Sequence, residues 1–128
     1  MSSTVRVERI SGKGRGVVAT RNFEPGEVVE RAPVIVLPED PYDLLNRTTL
    51  KDYYLAWGDK AIAIGLGYSS LYNHSETPNA QTRRLIDQHT IEIVAIRPIA
   101  AGEEVTFLYA CEPWWEHRRE QVLELATA

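Results

Sequence analysis

The chain has 128 residues, 44% hydrophobic and 25% charged, with a net charge of −4. That suffices for one domain with a sizeable core and excludes a disordered chain, while the acidic balance disfavours nucleic acid as the main partner and leaves a basic peptide open. The lone Cys111 excludes an internal disulfide or a multi-cysteine zinc site; with no ~18-residue apolar run and no signal-peptide core at the N-terminus, the expectation is a cytoplasmic protein with no membrane partner.

Val5 to Ile10 alternates apolar and polar residues and predicts a strand. The three glycines of Ser11 to Gly16 predict a turn, and Val17 to Thr20 the returning strand. Phe23-Glu24-Pro25-Gly26 has the proline-glycine pair of a type II turn, followed by short strands at Glu27 to Glu30 and Pro33 to Leu37. Pro38 to Pro41 breaks the meander, and Tyr42 to Lys51 reads as a short helix or irregular excursion. From Asp52 to Gly65 helical and alternating patterns compete; Gly58-Asp59-Lys60 favours a hairpin. A second hairpin, Gln81 to Ile86 and Thr90 to Ile96, turns about Asp87-Gln88-His89. A strand from Glu103 to Tyr109 follows, and Pro113 opens a helix through Leu125, proline being tolerated in a first turn.

Between the hairpins lies Ser69 to Ala80, dense in amides and hydroxyls and entered through the apolar stretch Ile62 to Gly67. Such a loop is buried, and its polar groups must find partners. Val17 to Glu30 and Ile93 to Thr106 also align without a gap at an offset of 76 residues, with identities that include Ala19/Ala95, Arg21/Arg97, Gly26/Gly102 and Glu27/Glu103. Two similar β-units then flank a central insert, with the chemistry where they meet. His89 and His117 lack any carboxylate or thiol constellation, and no metal is proposed.

Gly14-Arg15-Gly16-Val17-Val18-Ala19-Thr20, then Asn73-His74-Ser75 with Pro78-Asn79, then Gly102-Glu103-Glu104-Val105-Thr106-Phe107 ending at Tyr109, resembles in order and spacing the SET domain of protein lysine methyltransferases. It looks like a minimal, stand-alone version of the bacterial and viral kind. The resemblance implies a mainly β fold of several small antiparallel sheets with a knot-like C-terminal crossing, a short helical insert and a C-terminal helix. Residues 1–40 would form the N-terminal β-unit, 41–66 a variable insert, 67–111 the C-terminal β-unit with the cofactor and catalytic motifs, and 112–128 the helix.

The resemblance further implies S-adenosylmethionine as cofactor. Lys13, Gly14, Arg15 and Gly16 would present backbone to it, Asn73 and His74 would bind its amino-acid and adenine ends beside Tyr72, and Trp114 or Trp115 would cover the adenine. Tyr109 would be the catalytic tyrosine, and Tyr53, Tyr72, Phe107 and Tyr109 would line the channel for the substrate lysine. Phe107 implies room for more than one methyl group. The pattern departs from the family at Ser70-Leu71, where an Arg-Phe pair is common, and at Leu108, where an acidic residue is common.

The implied activity is methyl transfer to the ε-amine of a lysine in a protein, histone-like substrates included, with a homodimer as one way to complete so small a site. A viral or secreted effector would act in a host nucleus instead of the cytoplasm. Two rivals stand beside it: a catalytically silent SET module that binds a peptide or partner, and a methyltransferase for a small non-protein amine. Intact Tyr109, Asn73 and His74 speak against the first.

Overall fold

The structure is a computed structural model that describes residues 3–37, 47–58 and 61–108. The expected C-terminal helix, Cys111, Tyr109, Trp114, Trp115 and the first half of the Tyr42 to Lys51 excursion lie outside the described residues.

β1 (Val5–Ile10) and β2 (Gly14–Ala19) form an antiparallel hairpin in the register Val5↔Ala19 to Ile10↔Gly14. The ladder leaves only three residues, 11–13, for the turn, so Gly14, Arg15 and Gly16, expected in the turn, already belong to β2. The tip is closed by Lys13 N donating to Ile10 O at 3.0 Å.

The expected strands at Glu27 to Glu30 and Pro33 to Leu37 are one strand, β3 (Val28–Leu37), with two partners. Val28 to Pro33 pair with β8 (Thr90–Ala95), and Val34 to Leu37 pair with β5 (Ala61–Gly65). The change falls at Pro33, which has no N–H for a second ladder. β4 (Tyr54–Trp57) closes the expected hairpin with β5, preceded by a 3-10 turn, Thr49–Asp52, capped by the Thr48 hydroxyl. β7 (Ala80–Leu85) pairs with β8 about His89, which takes the left-handed conformation at φ 48°.

The aligned β-units pack on each other about a local two-fold axis. Phe23 and Ile99 exchange N–H···O bonds of 2.8 and 2.9 Å; Ala19 N donates to Glu103 O at 2.9 Å, and Ala95 N to Glu27 O at 2.9 Å; Gly102 N donates to Ala19 O, and Gly26 N to Ala95 O, both at 2.8 Å. Each bond maps onto its mate by the sequence offset. Both turns place glycine at positive φ, 92° at Gly26 and 90° at Gly102, where a side chain would be strained. Glu27 and Glu103 each accept from a backbone N–H three residues earlier, Glu24 and Ala100, and each faces an arginine, Arg21 or Arg97. Where the symmetry breaks, Ala101 N donates to Asn22 Oδ1, and the equivalent positions are Pro25, without an N–H, and Pro98, without an acceptor side chain.

Phe23, Ile99, Val17, Val29, Ile93 and Val105 are all buried in one apolar cluster at this junction. Each large side chain removed from water contributes about 1.5–3 kcal/mol, so the junction contributes stability as well as symmetry.

The strand expected over Glu103 to Tyr109 is shorter. Glu103 to Val105 run beside β2 through an isolated Val18–Glu104 bridge, and only β9 (Thr106–Phe107) joins the large sheet. That sheet has the order β4-β5-β3-β8-β7-β9-β6, where β6 is Asn73–His74. β9 is parallel to both neighbours, Asn73↔Thr106 and His74↔Phe107 on one side and Ala80↔Phe107 on the other. The C-terminal segment therefore passes between two strands joined by the 75–79 loop, which is the threaded crossing the resemblance implied. Asn79, 1% exposed, fastens it: its amide donates to Glu104 O at 2.8 Å and Glu103 Oε2 at 3.2 Å, and its Oδ1 accepts from Thr106 N at 2.9 Å. No helix among the described residues is long and apolar enough to cross a membrane.

Candidate functional site

A cavity of about 410 Å³ opens beside the threaded segment. Lys13, Gly14 and Arg15 reach it from the β1–β2 hairpin, Tyr53 from the approach to β4, and residues 70–73 from the loop into β6. Six of the residues singled out in the sequence thus meet at one cavity: Lys13, Gly14, Arg15, Tyr53, Tyr72 and Asn73. Gly16 lies buried behind it, where a Cβ would stand 2.6 Å from Glu104 Oε2 and 2.8 Å from Asn73 Nδ2. Its smallness lets those two side chains meet.

Asn73 Nδ2 donates to Arg15 O at 3.0 Å and to Glu104 Oε2 at 2.7 Å. Glu104 Oε1 in turn accepts from Lys13 Nζ at 3.1 Å. His74, the next residue, stands outside the residues lining the cavity, with its Nε2 3.3 Å from Glu76 Oε1.

Tyr72 is buried, its ring 5.7 Å from that of Phe107 at an interplanar angle of 35°. Its hydroxyl donates to Glu30 Oε1 at 2.7 Å, and Tyr68 N donates to Glu30 Oε2 at 2.9 Å. Burial, reinforced by the charge and hydrogen bond of Glu30, pushes the Tyr72 phenol well above its ordinary pKa. It stays protonated at neutral pH and cannot serve as a base. Phe107 is 2% exposed and stands behind Tyr72, not on the cavity wall.

Glu30 and Glu104 were not singled out in the sequence. An acidic residue in or beside a strand is usually solvated, and the signs of Glu104's role in the sequence are its place in the Gly102 to Phe107 motif and in a segment otherwise destined for the core.

A SET domain family profile matches residues 14–110. The chain belongs to the SET-domain family. Among curated relatives it is 26% identical over 115 residues to a histone-lysine N-methyltransferase of Schizosaccharomyces pombe, H3 lysine-37 specific, covering 89% of this chain and 78% of that protein. It is 32% identical to histone-lysine N-methyltransferase Set2 of Drosophila melanogaster, covering 81% of the chain and 5% of that protein, and 31% identical to N-lysine methyltransferase KMT5A of Xenopus tropicalis, covering 82% and 35%. The chain thus spans most of the first relative, a small part of the second and about a third of the third.

Its fold is also that of a Plasmodium falciparum protein provisionally designated a histone methyltransferase, with a TM-score of 0.69 at 24% identity over 90% of this chain and 99% of that one. CpSET8 from Cryptosporidium superposes with a TM-score of 0.67 at 24% identity, over 87% of this SET domain and 59% of that chain.

Proposed function

We propose that this SET domain is an S-adenosylmethionine-dependent protein-lysine N-methyltransferase. The observation that carries the reading is the cavity itself, which joins the β1–β2 hairpin to Asn73 beside the threaded segment leading to Tyr109. Its volume lies within the ~300–1,000 Å³ typical of small-molecule sites. Its lining also suits such a cofactor: Arg15 and Lys13 for a carboxylate, Asn73 for an amino group, and Leu71 and Tyr53 for apolar parts.

S-adenosylmethionine, when bound, supplies a methyl group on a sulfonium centre. The protein's part is to hold donor and acceptor in line, exclude water, and receive the lysine neutral. A lysine is charged at neutral pH, with an ordinary pKa of ~10.4, and burial beside a cation lowers that value. Tyr109 is assigned the catalytic role, orienting the methyl group through its hydroxyl, and Trp114 or Trp115 the cover of the adenine. Tyr53 and Tyr72 are the candidates for the channel wall that reach the cavity. Tyr72 offers its ring only, because its hydroxyl is held by Glu30. The substrate proposed is a lysine in a basic, histone-like protein, in keeping with the names of the relatives and the net charge of −4.

Isothermal titration with S-adenosylmethionine and S-adenosylhomocysteine tests the cofactor first, and saturable one-to-one binding is the expected result. Tyr109→Phe should keep that binding and lose methyl transfer to histone peptides by mass spectrometry, on the order of a hundredfold or more. Unchanged turnover removes Tyr109 from the mechanism. A folded protein that binds neither compound favours the silent binding module.

A further inference from the structure

We infer that Glu104 is a positioning residue of the cavity: it fixes which atom of Asn73 a ligand meets, and so selects a ligand bearing an ammonium group. The inference rests on the reading of this cavity as the cofactor site. A primary amide carries two protons, and those of Asn73 are both taken, one by Arg15 O at 3.0 Å and one by Glu104 Oε2 at 2.7 Å. Carbonyl and carboxylate can only accept. A flipped amide would set Oδ1 against two acceptors, so the nitrogen must face the protein.

Oδ1 takes no hydrogen bond among the described residues and is the atom left for the cavity that Asn73 lines. An acceptor there recognises a donor, and an ammonium is the donor it favours most.

Glu104 is suited to this work by its surroundings. Its side chain is 16% exposed, its second oxygen is held by Lys13 Nζ, and its backbone is pinned by Asn79 and the bridge to Val18. Gly16 leaves the space in which carboxylate and amide meet. Without the carboxylate, one amide proton of Asn73 is freed, the amide can rotate, and donor and acceptor faces compete for the ligand.

The test compares binding of S-adenosylhomocysteine with that of its deaminated analogue, in which hydrogen replaces the amino group, by calorimetry on the whole chain. Glu104→Ala and Glu104→Leu should each weaken S-adenosylhomocysteine about tenfold and the analogue less than about twofold, while Glu104→Gln, which keeps an acceptor for Asn73, restores most of the loss. The leucine variant carries the test if the alanine variant does not fold, and the analogue's binding reports an intact cavity. Equal losses for both ligands, or no loss, in a folded alanine or leucine variant overturn the inference alone. A wild-type protein that binds neither ligand overturns the cofactor reading and this inference with it.

Discussion

Glu92 sits on β8 with 3% of its side chain exposed, directly opposite Arg31 on β3 and Arg83 on β7. Arg83 Nε donates to one of its oxygens at 2.7 Å, and Arg31 holds the other. The Arg83 hydrogen bond, helped by Arg31 and opposed by burial, holds the Glu92 carboxyl below the usual carboxylate range. A lowered folded-state pKa stabilises above the unfolded value of ~4.3, and the contribution vanishes as pH falls through the lowered one. Glu92→Gln should therefore lose about 1–3 kcal/mol at pH 7, with the gap from wild type closing below about pH 4. Melting temperatures of both proteins across pH 2–8 measure it; a gap that persists at the lowest pH contradicts the assignment. At this scale the sequence was partly legible. Asn73 and Asn79 stand out as amides in a buried loop that must find partners, but the loop itself does not name those partners. Asn79's partners lie 24 to 27 residues on, at a distance that local chemistry does not encode.

Among the elements, the two-fold pair of β-units is the part most readily read from the chain, because identical turn chemistry recurs at a fixed offset. Each turn hooks the other unit's strand, so equivalent positions bear equal burdens. A Cβ at Gly26 or Gly102 meets nothing within 4 Å, which leaves only the positive φ to oppose it. Gly26→Ala and Gly102→Ala should each cost about 1 kcal/mol, equal to within ~0.5 kcal/mol. Chemical denaturation of the two variants tests this, and a threefold disparity would show that the turns are alike in shape but not in role. The hairpins were equally legible, since alternation and turn residues agree. β3 read as two strands because proline at its middle marks a change of partner, not an end. β6 and β9 could not be read as parallel partners. Two residues carry no periodicity, and parallel pairing needs no turn signal.

Across the whole molecule, the cavity draws on Lys13 to Arg15, Tyr53 and residues 70–73, with Glu104 behind them, so it exists only when the chain is closed. The closing device is Asn79, whose bonds hold the threaded segment at Glu103, Glu104 and Thr106. Asn79→Ala should destabilise the fold by about 2–4 kcal/mol, since it leaves buried backbone groups unpaired. In native-state hydrogen exchange the Thr106 amide should lose protection before amides of the β3–β8 ladder; loss in step with that ladder would mean the crossing is no weaker than the sheet. The threading itself entered the reading only through the family resemblance, because such connections are rare and periodicity does not signal them.

Synthesis on the ribosome runs from the N-terminus, so β9 emerges after both of the strands it lies between. Until residues 106 and 107 have been made, β6 and β7 have no strand between them, and Asn79 has no Thr106 amide to hold. A product that stops early therefore lacks the interleaved strand and, if it stops before Glu104, the carboxylate beside Asn73. A copy that ends before residue 106 is in this way left with an unfilled gap in its sheet between β6 and β7, the edge on which the cavity is built.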